Sequence, residues 1–468
     1  MINRDEIEAK SKEFEIHVAN VERDYVFGWL LFGIFTASSL KDEIFLKGGN
    51  ALRKGYFENT RFSSDLDFGI PGDINQSVLL SEINKVCDFI QERAGVTFLK
   101  GDNKIEEKFS ASEAPIPGLR VYEARIYFND FYGKRDDLRI KISMDITRFD
   151  KVLLDIQKVA LIHPYSDAAQ VVCEIRCMKL EEIIATKLKC LLQRQHAPDL
   201  FDYAYSIKLL GGNLNREEVV RTLIAKTIFG RNPSVLKKIL HETPFDYFKE
   251  CWNKSIVCAK AIVMGAEEAI ASFLTDLDAL FGVYPDNGFS QFTFFAPELR
   301  MPILKAGRDQ TLLKIRYNNA DRIVEPYSLK YLEKRDGDAR EYFYIFNQSG
   351  GSNPPGVRSL IPSGFQSIEN TEEKFEPRFT IELSKAGELP EDRYLFDPNR
   401  PTSAPRSMGV FGRSGVTRKS SGPKYIYQCS YCGRKFSKTT RDGTLREHKD
   451  KSGYRCSGRR GFYVDTKY

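Results

Sequence analysis

The sequence predicts an α+β protein of several domains, on three observations. Its 468 residues exceed what one hydrophobic core usually organises. Residues 1–282 alternate helix-like and strand-like segments, whereas residues 300–385 contain short strand-like runs separated by turn sequences. A stretch rich in Pro, Ser, Gly and Arg then precedes a segment with closely spaced cysteines. We therefore expect domains at 1–282 and 300–385, a flexible linker at 386–424, and a terminal module at 425–468.

The first domain begins with helical sequence. Residues 10–40 predict one or two helices, and the apolar run Tyr25–Thr36 predicts a buried helix that is too short to span a membrane. Glu43–Leu46 predicts a short strand that leads into a Gly-Gly turn.

Later segments of this domain show a second strand and then a helical half. Leu138–Ile146 alternates apolar and polar residues, as a half-buried strand does, with Asp145 on the polar face. From Met178 to Gly282 the pattern is helical, with a break at His196–Pro198.

Composition is that of a globular protein, with 42% hydrophobic and 29% charged residues. Residues 397–468 hold 17 Lys and Arg against 5 Asp and Glu, which leaves a net charge of −6 on residues 1–396 of a chain whose total is +6. The basic tail fits nucleic-acid contact or a solvated, disordered segment, and composition favours neither. Scattered cysteines and a charged N-terminus without a signal-peptide core predict a cytoplasmic protein with no membrane contact.

The most informative segment is residues 46–70. Asp65 and Asp67 flank Leu66, so a strand directs both carboxylates to one face. Adjacent carboxylates repel unless cations share the site. Two Mg²⁺ or Mn²⁺ ions would neutralise them and hold the attacking and leaving oxygens of a phosphoryl transfer. An isolated Asp-x-Asp is more often an ordinary strand end, but the preceding turn and Asp145 favour a metal site formed by all three carboxylates.

Phosphate-binding groups surround this acidic pair. The turn Lys47-Gly48-Gly49 offers backbone N–H groups that can approach triphosphate oxygens closely. Ser63 and Ser64 add hydroxyl donors. These residues predict a site for an NTP.

Downstream charges extend the candidate site. Lys187 lies within an apolar helical stripe, so it either pairs with an anion, such as triphosphate or a carboxylate, or extends to solvent. Lys189 points the other way and is predicted to be solvated. Asp199 and Asp202 follow Pro198 and fit either the first turn of a helix or the active site. No serine–histidine triad or P-loop motif is present.

The order of these features resembles that of the DNA polymerase β-type nucleotidyltransferase fold. In that order, a strand leads into a Gly-Gly turn, and a strand with Asp-x-Asp and then a third Asp follow. The chain resembles the AbiEii/AbiGii abortive-infection nucleotidyltransferase toxin family over about residues 15–280. The resemblance is carried by KGGNALRKGYF and RFSSDLDF, by VERDYVFGWLL upstream, and by EEIIATKLKCLLQRQHAPDLFDYAY downstream. The resemblance implies that Lys187, Asp199 and Asp202 are active-site residues. It also implies transfer of a nucleoside monophosphate to an RNA acceptor such as tRNA, and an antitoxin partner. Many members have Arg where this chain has Pro198, and Arg194 is the nearest replacement.

Residues 300–385 resemble the WYL domain, an Sm/SH3-like β-barrel, through the segment 322–329, with residues 362–379 as a closing strand. This resemblance implies ligand or nucleic-acid binding through exposed side chains, with four candidates: Arg316, Arg322, Tyr327 and Arg358. The alternative is that the tyrosines form core and the arginines only face solvent.

The terminal module carries a zinc pattern. Two residues lie between Cys429 and Cys432, fifteen between Cys432 and His448, and seven between His448 and Cys456. Three thiolates and one imidazole form a closed tetrahedral set for structural Zn²⁺. A knuckle this small depends on metal for its stability. Its lysines and arginines, interleaved with aromatic residues, suit contact with nucleic acid.

Two function hypotheses follow. One is a nucleotidyltransferase toxin for phage defence. The other is a nucleic-acid-binding regulator that uses the barrel and the zinc knuckle and carries a degenerate transferase domain. The intact set of three carboxylates favours the enzyme, because a degenerate site would be expected to lose one.

Overall fold

The computed structural model describes most of the chain: residues 2–107, 120–129, 131, 139–148, 150–230, 232–282, 284, 293–333, 339–351, 354–389, 424–429, 434–438, 444–449, 455–456 and 461–467. The chain divides into two compact units, Met1–Ala404 and Pro405–Tyr468. No helix in the described part is long and apolar enough to cross a membrane.

A seven-stranded mixed sheet organises the N-terminal half. Its strands are β1 (Phe45–Lys47), β2 (Asp65–Ile70), β3 (Lys104–Glu107), β4 (Arg120–Asn129), β5 (Arg139–Arg148), β6 (Gln157–Ala160) and β7 (Glu174–Cys177). Their order is β3-β4-β5-β2-β1-β7-β6. The two strands that carry the predicted carboxylates, β2 and β5, are parallel neighbours, and β1 pairs antiparallel with β2.

Four helices accompany this sheet: α1 (Arg4–Phe14), α2 (Val18–Ala37), α3 (Gly48–Ala51, continued by a π turn at Leu52–Tyr56) and α4 (Gln76–Ala94). The predicted buried helix is α2, whose residues from Tyr25 to Phe35 are buried. A Cβ at Gly33 would lie 2.8 Å from Val86, so glycine lets α2 approach α4 closely. The prediction for residues 10–40 is confirmed, except that the first helix begins earlier.

Strand alternation also holds. Ile142, Met144 and Ile146 on β5 are buried, whereas Asp145 is half-buried on the opposite face. Leu66 and Phe68 on β2 are completely buried. The apolar face of the sheet therefore packs into the core, and the carboxylates lie on the other face.

Residues 180–280 form a helical half with a core of its own. Its helices are α5 (Leu180–Gln193), α6 (Ala197–Leu210), α7 (Arg216–Ala225), α8 (Pro233–His241), α9 (Asp246–Ser255) and α10 (Ala266–Leu280). The break between α5 and α6 falls where the sequence predicts it, and Pro198 occupies the first turn of α6, where its missing N–H costs nothing.

The next module contains helix α11 (Pro297–Asp309) and an antiparallel sheet of β8 (Thr311–Tyr317), β9 (Ala320–Glu333), β10 (Ala339–Ser349), β11 (Gly356–Leu360) and β12 (Phe365–Lys374). The segment 362–379, predicted as the closing strand of a barrel, contains β12, which pairs with β8 at one edge of the sheet. A closed barrel is not found in the described residues, because the order is β11-β10-β9-β8-β12, with β11 and β12 at opposite edges. Instead, α11 contributes Met301, Ile303 and Leu304 to the core of the sheet. The WYL assignment stays a prediction.

The start of the predicted linker belongs to the folded unit. Ala386 is completely buried, and the backbone N–H of Ile228 donates to the Gly387 carbonyl at 3.0 Å. Lys189 forms an ion pair with Glu388, with 2.7 Å between Nζ and Oε1. The prediction that Lys189 is solvated is therefore wrong, because residues 386–389 cover that side of α5 and join the β module to the helical half.

Candidate active site

The sheet brings the three predicted carboxylates together. Asp67 lies directly opposite Asp145 on the parallel neighbour β5, and Asp65 lies opposite Ser143. On the other side of β2, Asp67 lies opposite Lys47 at the end of β1. The three carboxylates thus occupy one face of two adjacent strands, next to the Gly-Gly turn.

Negative charge is concentrated at Asp67. Burial first, and then Asp65 and Asp145, raise the pKa of Asp67 to about 6, while Lys47 and Lys187 lower it. Carboxylate oxygens are the ligands that Mg²⁺ or Mn²⁺ prefers, and such a cation would relieve the repulsion between the negative charges. The ligand oxygens of the three residues do not all lie within 4.8 Å of one another, so common ligation would require side-chain rotation. The donor set fits such an ion, and these three residues would hold it.

Glycine is required in the turn after β1. Gly48 has a φ of +73°, which L-residues rarely adopt, and a Cβ there would lie 2.2 Å from Asp67 Oδ2. At Gly49 a Cβ would lie 2.7 Å from Arg61 Nη2 and 3.0 Å from Ser63 Oγ. The turn backbone therefore runs in direct contact with the acidic site, as the sequence predicts for a phosphate-binding turn.

Other predicted binding residues lie around the turn. The Ser63 hydroxyl donates to Asp65 Oδ1 at 3.1 Å, and Ser64 is exposed. The Lys47 ammonium donates to Asp150 Oδ2 at 2.5 Å and to Thr147 at 3.0 Å. Lys47 is thus held beside the carboxylates by Asp150.

Lys187 lies in a buried ion network. Its Nζ is 2.7 Å from Asp202 Oδ2 and 3.1 Å from Asp199 Oδ1. Arg61 donates to both oxygens of Asp202, at 2.7 and 2.8 Å. Arg194 donates to both oxygens of Asp199, at 2.8 and 3.1 Å. Two carboxylates and three cations therefore link α5, α6 and the segment before β2.

Titration follows from this geometry. Burial would lower the pKa of Lys187, but Asp202 and Asp199 outweigh burial and raise it. Burial would raise the pKa of Asp199, but Lys187 and Arg194 hold it well below the ordinary range. Burial would likewise raise the pKa of Asp202, but Arg61 and Lys187 hold it below the ordinary range. The network is fully charged at neutral pH.

Sequence reasoning missed Arg61. It lies four residues before Asp65, in a segment rich in small and aromatic residues, and its partner Asp202 is 141 residues away. It also contacts the turn at Gly49. In the sequence, Arg61 is recognisable only as a single cation next to Phe62 at the start of the segment RFSSDLDF. Its partner Asp202 is identified only by the fold.

A second buried cluster fixes the turn to α2. Asp24, from the segment VERDYVFGWLL, contacts Arg53 Nε at 2.7 Å and Lys54 Nζ at 3.0 Å. The Tyr165 hydroxyl donates to the same carboxylate at 2.8 Å. Because all four side chains are buried, this cluster positions the π turn that follows Gly48 and Gly49.

The candidate binding residues of the β module differ in how exposed they are. Tyr327 is completely buried, with its hydroxyl donating to Glu325, so its prediction as an exposed contact is wrong. Its ring packs against Phe375 and Phe379. Among the arginines, Arg316 is exposed, whereas Arg322 and Arg358 are half-buried.

The terminal unit brings together three of the four predicted zinc ligands. Its strands are β13 (Lys424–Cys429), β14 (Lys435–Lys438), β15 (His448–Lys449), β16 (Arg455–Cys456) and β17 (Gly461–Lys467). The ligand atoms of Cys429, His448 and Cys456 all lie within 4.8 Å of one another, and Cys432 lies outside the described residues.

The imidazole is oriented for ligation. His448 Nδ1 lies 2.9 Å from the Arg446 carbonyl. Because a carbonyl only accepts, Nδ1 carries the proton and Nε2 is the nitrogen suited to a metal, as in many zinc sites. The Phe436 ring packs edge-on against this imidazole at 4.6 Å. Two thiols and this histidine fit Zn²⁺. The ligand assignment stays a prediction.

The structure places the glycine turn at the end of β1 beside carboxylates on the neighbouring strands β2 and β5, the arrangement that the sequence predicts for a nucleotidyltransferase domain. The family model described as "Nucleotidyl transferase AbiEii toxin, Type IV TA system" matches residues 29–252. This part of the chain is therefore similar to the AbiEii nucleotidyltransferase toxin family. The match contains the turn, the three carboxylates and the Lys187 network, and it ends before the β module.

Comparison with solved structures finds MenT4, a nucleotidyltransferase toxin from Mycobacterium tuberculosis. It is 18% identical, with a TM-score of 0.37, and the alignment covers 58% of this chain and 90% of that one. No curated protein sequence matches the chain.

Proposed function

We propose that this protein is the toxin of a toxin–antitoxin system and transfers a nucleoside monophosphate from an NTP to an RNA acceptor such as tRNA. The observation that carries the proposal is the position of Asp65, Asp67 and Asp145, on one face of adjacent strands beside Gly48. The family match over residues 29–252 supports both the reaction class and the toxin role.

The chemistry assigns a role to each group. The backbone of Gly48 and Gly49 and the hydroxyls of Ser63 and Ser64 bind the triphosphate. The acceptor hydroxyl oxygen attacks the α-phosphorus, the bond to pyrophosphate breaks, and the hydroxyl loses its proton to solvent. Divalent cations held by the three carboxylates would supply positive charge to the attacking and leaving oxygens.

The Lys187 network positions this site. Because Lys187 is saturated by Asp199 and Asp202, its ammonium fixes α6 against α5 and adds positive potential near Asp67. Arg61 fixes the segment before β2 to α6 in the same way. The zinc unit adds a basic surface for RNA, and an antitoxin protein is the expected partner.

Induced expression in a host without the antitoxin tests the proposal. We expect the wild-type chain to arrest growth and Asp67→Asn or Asp145→Asn to permit growth, because an amide keeps the shape but removes the charge that holds a cation. Asp278→Asn, at a 67% exposed side chain of α10, is the matched control and should arrest growth. Arrest by Asp67→Asn at equal protein level would contradict the proposal and favour a nucleic-acid-binding regulator.

A further inference from the structure

A cavity of about 330 Å³ lies between the catalytic domain and the β module. One wall is the turn between α5 and α6, and the other is α11. The cavity is lined by Arg194 and Gln195 from the turn and by Met301, Leu304, Lys305 and Arg308 from α11. The cavity exists because the β module packs on the helical half.

Arg194 lines the cavity and also belongs to the ion network of Lys187. The guanidinium of Arg194 contacts Asp199, which also contacts Lys187. The side chain of Arg194 is 52% exposed, so its remaining surface is available to the cavity. Burial lowers the pKa of Arg194, but Cys190, Asp199 and Asp67 together raise it above its ordinary value.

Two kinds of surface meet in the cavity. Met301 and Leu304 line the cavity with the small exposed edges of core side chains, and the half-buried Ile381 adds apolar surface. Lys305 and Arg308 are exposed on the same helix, one turn apart, and Arg308 also pairs with Asp309 at 2.8 Å. Arg194 lines the cavity from the turn between α5 and α6. The amide of Gln195 adds hydrogen-bonding capacity. An apolar floor beneath three cations suits a ligand that has a flat apolar part and a phosphate.

We propose that this cavity binds a nucleotide of the acceptor RNA, upstream of the hydroxyl that receives the nucleoside monophosphate. The base packs on the apolar lining formed by Ile381 and the edges of Met301 and Leu304, and the flanking phosphates contact Lys305, Arg308 and Arg194. This assignment rests on the proposed function for the identity of the strand. It gives the β module, which lies outside the family match, the role of selecting the acceptor.

Charge reversal in the full-length protein tests this assignment. Lys305→Glu with Arg308→Glu is compared with Lys314→Glu and Arg221→Glu, two exposed cations that do not line the cavity. Affinity for a labelled single-stranded oligoribonucleotide is measured by fluorescence anisotropy at several salt concentrations. We expect the dissociation constant of the cavity variant to rise about tenfold. Its salt slope should fall by about 1.4, since two phosphate contacts are lost.

An uncharged substitution that fills the cavity tests whether RNA binds in the cavity or only responds to the surface charge of the protein. Ser384 is exposed at the cavity wall, and Ser384→Trp fills the space without changing charge. Its affinity for the oligoribonucleotide should fall as well, with an unchanged salt slope. Thermal unfolding confirms that each variant is folded. The KM for RNA should rise in both cavity variants, whereas the KM for NTP should not change.

The outcomes distinguish this assignment from the proposed function. If the wild type transfers nothing to RNA but the cavity variants still lose oligoribonucleotide affinity selectively, the RNA site stands and the proposed function fails. Equal effects of the cavity pair and the control pair, or no loss in Ser384→Trp, would overturn the assignment whether or not transfer occurs.

Discussion

Replacement of Lys187 by methionine should destabilise the catalytic domain strongly. The ammonium lies 2.7 Å from Asp202 and 3.1 Å from Asp199, and all three side chains are buried. Methionine retains the volume but leaves two buried carboxylates with less positive charge. Breaking a buried pair in this way costs about 3–5 kcal/mol. Because Arg61 and Arg194 each retain a carboxylate, we expect a loss near the lower end, about 3 kcal/mol.

The loss should depend on pH. The pKa values of Asp199 and Asp202 are lowered in the folded protein, so their ionisation stabilises the fold above the ordinary aspartate pKa of about 3.9. That stabilisation disappears as the pH falls through the lower folded-state values. The difference between wild type and Lys187→Met should therefore be largest at neutral pH and shrink below about pH 4.

Urea unfolding followed by circular dichroism measures this difference. Lys208→Met is the matched control, because Lys208 pairs with Glu268 at the surface with both side chains about half exposed, and we expect no resolvable change. Equal stability of Lys187→Met and wild type at pH 7 would refute the reasoning, since the network would then not be charged or not be buried.

Three further results follow from the same contacts. Asp67→Asn should raise the Tm in metal-free buffer by a few degrees at pH 7.5, because ionised Asp67 is destabilising at that pH, and the gain should shrink as the pH falls from about 6 to about 4; a lower Tm at pH 7.5 in calorimetry would contradict this. Cys456→Ser should lose the bound zinc measured by elemental analysis, whereas Cys258→Ser, outside the cluster, should retain it; equal zinc content would exclude the site. Lys189→Met should increase hydrogen exchange of residues 386–389 about fivefold, as loss of its pair with Glu388 loosens the module contact; unchanged exchange would show that the pair contributes nothing.

Local patterns predicted the elements of the site well. The alternation of Asp65, Leu66 and Asp67 fixed which side chains share a face, and the same held for Asp145 on β5. That β2 and β5 are neighbours is a non-local fact, and only the family resemblance suggested it.

Ion pairs between distant segments could not be predicted. Arg61 meets Asp202 across 141 residues, and Lys189 meets Glu388 across 199. Such partners are set by how helices dock, which periodicity does not encode. The β module shows the same limit, because its strands were expected but the helix that covers them, α11, was not. Whether a sheet closes on itself depends on what covers its face.

Labelled transfer tests the central claim most directly. The purified protein is incubated with Mg²⁺, total RNA and each NTP in turn, labelled at the α-phosphate, and the RNA is separated by size. We predict that the wild type labels a discrete RNA with at least one NTP, that EDTA abolishes labelling, and that Asp145→Asn labels none while Asp278→Asn labels normally. Absence of label with all four NTPs, or equal labelling by Asp145→Asn, would contradict the account.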